Sequence, residues 1–423
     1  MAKERRDSKN RLLWKGEYQK DDGRYMYRYV DANGTARFVY SWTLTKTDRA
    51  PKGKTPGLCL RDLEKQIAED MHDNLDTFTA RKKTVNDYFD IFIESKKKIK
   101  PTTRASYKRK YDQYLRDRIG GRQLSSVKYS DVCNCYNTIL AEDEISAKTL
   151  KVVNAILCPI FHIAHKDNLI RSNPVVGALT EVLKAHDFKE NKRFALSPDE
   201  EKAFFDFIGS SKTYSKWKNL YAVMLGTGFR IGEICGLTWE DCDFKNNIIH
   251  VRRTLLYFQD DISGKYRWSI QTPKTECSQR SIPMLGEVRK ALLDEKKNRM
   301  IYGFCTSEID GVSGFVFCNR DLGVVCPNEA NKRLTRIVNA YNKREQIAAA
   351  SDGRDALLLP HFSPHILRHT FCTRMREADV DVKVIQNVMG HSKVETTLNI
   401  YDELSMTRKQ ESFRNVDGLF KIG

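Results

Sequence analysis

The chain has 423 residues, 40% of them hydrophobic, and carries 72 Lys+Arg against 55 Asp+Glu for a net charge of +17. That length accommodates roughly two to four domains, and the positive surplus points to a polyanion partner, most often nucleic acid. The 11 cysteines form no CxxC pair and no Cys/His cluster with zinc-ligand spacing, and neither a secretory leader nor an apolar run of about 18 residues is apparent, so a disulfide scaffold, a zinc module and a membrane span are all excluded as expectations.

Residues 1–46 read as a small β unit. "RYMYRYVD" and "ARFVYSW" alternate apolar or aromatic with polar residues around "ANG", Ala32 to Gly34, a hairpin signal. The first run sets Tyr25, Tyr27 and Tyr29 on one face with Arg24 and Arg28 on the other. A helix is predicted from Leu60 to about Leu75, with Leu60, Leu63, Ile67 and Met71 at helical spacing. A sheet this small needs such a helix to cover its apolar face, and its other face suits the groove of a duplex.

From residue 82 to about 185 the pattern is helical. Between Lys96 and Arg118 there are ten basic residues (Lys96, Lys97, Lys98, Lys100, Arg104, Lys108, Arg109, Lys110, Arg116 and Arg118) against Asp112 and Asp117, so ten minus two leaves +8. Cations at that density suit phosphate contacts, which give affinity without sequence choice. An apolar stripe follows at Leu150, Val153, Leu157, Ile160, Phe161 and Ala164, and "RSNPV" closes the block.

A third block opens at Ser197, an N-cap with Pro198 at the first helical position and Glu200 completing a capping box. "NNIIHVRRTLLY" and "YRWSIQTPKTECSQRSIPM" read as strands of an antiparallel sheet, and "EVRKALLDEKKNRM" and "NEANKRLTRIVNAYNKR" as helices. Four places here hold unusual side chains. "LGTGFRIGEICGLTW" presents Arg230 at a helix start with Glu233 one turn on. "TPKTECSQRSIP" carries Lys274 near a turn between strands. In "SPHILRHTFCTRM", Ser363 caps a helix, Pro364 sits at its first position, and His365 and Arg368 share one face. In "VMGHSKVETTLNIYDEL", Gly390 ends a helix, His391 sits in the turn, Ser392 with Glu395 forms a capping box, and Tyr401 lies near the end of the next helix. Taken singly, each reads as a surface pair, an exposed lysine or a core tyrosine.

Together, "TGFRIGE", "TPKT..S.R.IP", "HILRHTF" and "GHSKVETTLNIY", in that order over about residues 190–405, resemble the tyrosine recombinase (phage integrase) family. The resemblance implies a multidomain α+β chain. It would comprise an arm-type DNA-binding domain at 1–80 (three-stranded sheet plus helix), an all-α core-binding domain at 81–188, and a mainly α catalytic domain with a small antiparallel sheet and a tail at 189–423. It implies Arg230 and Arg368 as forked donors to the scissile phosphate and Tyr401 as the nucleophile that forms a 3′-phosphotyrosine. Lys274 would give the leaving 5′-oxygen its proton, His365 would help accept the tyrosine proton, and His391 would hydrogen-bond the phosphate. Glu233 would hold a neighbouring side chain. No cofactor is expected, neither ATP nor metal, because the covalent link stores the bond energy. His369 is expected to pack, and Arg374 to lie on the surface or touch phosphate.

The opening "RRDSKNRLLWKGEYQKDDGRYMYRYVDANG...FVYSW" resembles the arm-binding domain of conjugative-transposon integrases of the tetracycline-resistance type. The implied partners are double-stranded DNA at element ends, with core sites and arm repeats, and target DNA, bound as a homotetramer in the bacterial cytoplasm, associated with the nucleoid. An excisionase and a host DNA-bending protein are the implied accessory partners. Competing readings are a temperate-phage integrase, a type IB topoisomerase, and a non-catalytic DNA-binding regulator of the same fold.

Overall fold

The computed structural model describes residues 5–31, 34–55, 57–73, 75–188, 194–260, 263–271 and 279–391. Lys274, Ser392, Glu395 and Tyr401 lie outside the described residues. The chain divides into two compact units, Met1–Lys189 and Glu190–Gly423.

The first unit begins with an antiparallel sheet of β1 (Glu17–Gln19), β2 (Tyr25–Val30) and β3 (Ala36–Ser41), with β2 central. The register pairs Tyr25 with Ser41 and Arg28 with Phe38. Alternation decides the faces. Tyr25 joins Leu13, Leu44 and Leu60 in a small core, with Tyr27 and Val39 packed against it. Arg28, Val30, Phe38 and Tyr40 are exposed on the other side. Helix α1 (Leu60–His72) contributes Leu60 and Ile67 to the buried side. So small an apolar core is supplemented by polar ties. The Tyr25 hydroxyl donates to Asp7 at 2.9 Å, and Arg11 bridges Asp7 and Asp48, both at 2.8 Å.

Helices follow: α2 (Thr77–Ala80), α3 (Val85–Ser95), α4 (Pro101–Tyr114), α5 (Tyr129–Asp143), α6 (Ala147–Lys166) and α7 (Ala178–Ala185). They share a second core, in which the Phe89 and Tyr111 rings stack at 3.6 Å. Helix α6 is long and apolar enough, by length and composition, to cross a membrane. Its apolar stripe from Leu150 to Ala164 is nonetheless the buried spine of this helical core, which accounts for the apolar run.

The second unit is mainly helical: α8 (Pro198–Ser210), α9 (Lys218–Thr227), α10 (Ile231–Cys235), α11 (Gly286–Tyr302), α12 (Pro327–Asp352), α13 (Pro364–Glu377) and α14 (Val382–Met389). The capping box at the start of α8 forms as predicted, with Glu200 accepting from the Ser197 N–H at 2.7 Å. The strands are β4 (Cys242–Asp243), β5 (Ile248–Val251), β6 (Thr254–Gln259), β7 (Tyr266–Gln271) and β8 (Arg280–Pro283). They form two sheets, β4-β5-β8 and β6-β7. The stretch read as one strand, "NNIIHVRRTLLY", is therefore two strands in different sheets. The break falls at Arg252–Arg253, where both guanidiniums turn to the buried carboxylate of Asp241. "YRWSIQTPKTECSQRSIPM" is likewise divided between the sheets, β7 pairing with β6 and β8 with β5.

Candidate active site

Two helices end toward one another in left-handed glycines. Gly228 caps α9 with φ +63° and Gly390 caps α14 with φ +59°. A Cβ on Gly228 would sit 2.4 Å from Cδ1 of Phe371, so both conformation and space call for glycine here. Helix ends leave carbonyls without helical partners, and arginines take them. Arg368, 1% exposed, donates through Nη1 to the Gly228 carbonyl at 2.6 Å and through Nη2 to the Met389 carbonyl at 2.5 Å. Arg230, the N-cap of α10, donates through Nη2 to the Gly390 carbonyl at 3.2 Å.

Glu233 sits among these cations, 3% exposed. It accepts from the Arg230 backbone N–H and from its Nη1, both at 2.9 Å. It also accepts from Arg280 at 2.9 and 3.3 Å. Arg280 in turn donates to the Val388 carbonyl at 2.6 Å and lies over the Phe229 ring. Burial alone would raise the Glu233 carboxyl, but the Arg280 and Arg230 guanidiniums overcome it and hold the group below its ordinary range. Three guanidiniums against one carboxylate leave two positive charges uncompensated within the cluster.

That excess shows in the neighbours. Burial, joined by the Arg230 and Arg280 charges, brings Arg368 down to about 9, with Glu233 pulling the other way. Burial, joined by Arg368, Arg230, His365 and Arg280, brings His391 down to about 3, so its ring is neutral at working pH. A site whose own cations repel one another is one whose energy falls when an anion arrives. His365 is exposed on the first turn of α13 and close enough to His391 to act on it. The structure thus brings together Arg230, Glu233, Arg368, His391 and His365, placing Arg280 with them. Tyr401 and Lys274 lie outside the described residues.

Arg280 had no assigned role in the sequence, although it stands inside a quoted motif. Its partners lie 47 and 108 residues away, and no local pattern announces them. Arg374, expected at the surface or on phosphate, is corrected. It is spent internally, pairing with Glu201 at 2.6 Å and donating to the Leu196 carbonyl at 2.7 Å. His369, expected to pack, is 8% exposed.

The basic residues singled out in the first unit are placed as follows. Arg28 is exposed on the open sheet face, while Arg24 pairs with Asp22 at 2.6 Å and stacks near Tyr40 and Trp42. Lys96, Lys97, Lys98 and Arg109 are exposed, and Lys100, Arg104, Lys108 and Lys110 are partly buried.

Comparison with known proteins places the chain among relatives. The profile of the phage integrase family matches residues 195–408, and that of the DNA binding domain of Tn916 integrase matches residues 1–71. The transposase from transposon Tn1545 of Streptococcus pneumoniae is 34% identical over 405 residues, 95% of this chain and 94% of that protein. The transposase from transposon Tn916 of Enterococcus faecalis is 33% identical over the same shares. Among solved structures, the Tn1549 transposon integrase in complex with transposon right end DNA superposes with a TM-score of 0.68 at 31% identity, covering 79% of this chain and 99% of that one.

Proposed function

The chain belongs to the phage integrase family of tyrosine recombinases, as a transposon integrase that transfers DNA strands, and from that premise we propose how its residues divide the work. Arg230 and Arg368 bind the non-bridging oxygens of the scissile phosphate and stabilise the charge that builds in the pentavalent transition state. The Tyr401 hydroxyl attacks phosphorus, forming a 3′-phosphotyrosine and releasing the 5′-oxygen, which takes a proton from Lys274. His365 helps accept the tyrosine proton. His391, neutral before DNA arrives, donates a hydrogen bond to the phosphate. Glu233 and Arg280 hold the guanidinium frame and touch no reacting atom. The covalent link conserves the energy of the broken bond, so rejoining needs neither nucleotide nor metal.

The observation that carries this reading is the carboxylate-centred trio of guanidiniums at the facing ends of α9 and α14, with its two uncompensated positive charges. By the same reading residues 1–80 grip arm repeats, 81–188 clasp the core site and 189–423 cut. The protein assembles as a homotetramer on paired element ends and target DNA in the bacterial cytoplasm, at the nucleoid. An excisionase and a host bending protein set direction. The element is a conjugative transposon.

The test is a nicked suicide duplex of the element end, run without magnesium on denaturing protein gels. A covalent protein–DNA band with wild type that vanishes in Tyr401→Phe supports the assignment. Tight binding with no band from wild type overturns it in favour of a non-catalytic regulator.

A further inference from the structure

The second unit contains a cavity that the strand-transfer chemistry does not use. It measures about 800 Å3 and lies between the start of α9, the end of α11 and the first turns of α12. Five cations line it: Lys212 and Lys216 from the loop before α9, Arg299, Arg320 and Arg333. The opposing carboxylates are Glu295 and Glu329, so five minus two leaves +3. Glu295 is already committed, 4% exposed and held by Arg299 and Asn219, each at 3.0 Å. Glu329 reaches Arg333 only at 3.9 Å. The side chains of Lys212, Lys216 and Arg320 are exposed and make no ion pair or hydrogen bond among the described residues. Arg320 is carried on a turn fixed by Asn319, whose Oδ1 accepts from the Asp321 and Gly323 N–H groups at 2.9 Å.

Exposed cations on a basic protein are ordinarily a solvated face. These differ in converging on one concavity from the segment before α9 and the turn at Arg320, beside Arg299 of α11 and Arg333 of α12, with Glu295 already spent. The cavity is far larger than a single phosphate, and its cations are spread around it, which suits several phosphates in a row. The fold also sets its spacing from the arginine cluster. Helix α9 runs from this cavity, at Trp217 and Leu220, to Gly228, whose carbonyl holds Arg368. Its ten residues span about 15 Å. A strand of duplex DNA offers one phosphate per about 3.4 Å of axis, so a duplex lying along α9 would reach the cavity about four to five nucleotides from a phosphate held at the arginine cluster.

We propose that this cavity is a second phosphate-binding site for the substrate DNA, in which Lys212, Lys216 and Arg320 grip the backbone away from the crossover. The proposal rests on the strand-transfer function above. It assigns these residues to affinity and register, and none of them to the chemistry.

The experiment compares wild type with the triple variant Lys212→Gln, Lys216→Gln, Arg320→Gln, and with a charge-conserving control, Lys212→Arg, Lys216→Arg, Arg320→Lys. Affinity for an element-end duplex is measured against salt, and then against duplexes with a single neutral methylphosphonate stepped along the strand. Losing three phosphate contacts lowers the slope of log affinity on log salt by about 2 to 3. The control keeps the wild-type slope. Neutralising the phosphates about four to five nucleotides from the cut weakens wild type several-fold and leaves the triple variant unaffected. An unchanged slope, or equal sensitivity to every methylphosphonate in both proteins, overturns the proposal. A covalent band from the triple variant at saturating protein shows that the chemistry stands independently of this site, and thermal midpoints of the three proteins exclude misfolding.

Discussion

At the scale of single residues, the candidate site is held by one carboxylate. Glu233 is the only acid among the described residues that pairs with both Arg230 and Arg280, and it is almost wholly buried. Removing one partner of a buried ion pair leaves charge without compensation, at a cost of about 3–5 kcal/mol. Glu233→Gln keeps the shape and loses the charge. We expect it to lower the thermal midpoint by roughly 6–20 °C, taking 2–4 °C per kcal/mol for a unit of this size, and to slow cleavage at saturating DNA. A variant that melts and cleaves like wild type would show that the frame does not depend on this charge. His391 makes a second prediction. Its ring titrates near 6.5 in an unfolded chain and near 3 here, so the folded protein binds fewer protons between those values. Stability from this group therefore falls as pH drops from about 6.5 toward 3. A bound phosphate offsets the arginine charges and brings the ring back toward its ordinary value, so DNA binding takes up a proton. Affinity measured by fluorescence anisotropy should strengthen from pH 7 to 5, by at most about tenfold per pH unit, and more steeply in wild type than in His391→Asn. Parallel curves for the two proteins would refute the coupling.

At the scale of elements, the join between α1 and the first sheet contains an unusual pair. Glu17 in β1 is fully buried and accepts from Arg61 at 3.1 Å and from the Trp14 N–H at 2.6 Å. Glu64 on α1 faces it. Burial first, then the Glu17 carboxylate, pushes Glu64 up to about 8, against the pull of Arg61. The nearby Tyr27 hydroxyl is also raised, by burial and then by both carboxylates. A carboxyl whose folded value is raised lends stability at low pH that is lost as pH climbs through the folded value. Amide protection in β2 and β3, taken relative to the intrinsic exchange rate at each pH, should therefore fall between about pH 5 and 8 in the wild-type protein. In Glu64→Gln that protection should hold, and a variant with the wild-type pH dependence would show the pair to be irrelevant. This pairing was invisible in the sequence, where Glu17 and Glu64 stand far apart. The legible features were local ones. Tyr25 to Val30 and Ala36 to Ser41 alternate with period two, Ser197 and Glu200 mark a helix start, and Gly390 marks a helix end. The division at Arg252–Arg253 was hidden because strand-like composition continues across it, and only contact with Asp241 breaks the run. The same reason explains the site. Arg230, Arg368 and His391 stand in recognisable motifs, whereas the partners of Arg280 and Arg374 are supplied by distant chain.

At the scale of the whole molecule, charge and cores are distributed unequally. The segment from Lys96 to Arg118 supplies +8 of the chain's +17, and it lies in the helical part of the first unit, on and around α4. The sheet contributes little net charge from its open face, where Arg28 stands beside Phe38, Tyr40 and Val30, and Arg24 is neutralised by Asp22. Phosphate affinity scales with the number of cations engaged, whereas shape and side-chain edges give selectivity. The helical segment should therefore dominate strength of binding, and the sheet should dominate choice of site. The sheet's core of Leu13, Tyr25, Leu44 and Leu60 is separate from the helical core around Phe89 and Tyr111, so removing one leaves the other's packing intact. A chain starting at residue 81 should still form the covalent band on a suicide duplex with only the core site, and its salt slope there should stay within about one unit of the full chain's. It should lose most of the preference for duplexes that also carry the end repeats. Competition between the two duplexes, measured with both proteins, decides the matter: an undiminished preference in the shortened chain would place repeat recognition in the helices, and the sheet's aromatic face would need another partner.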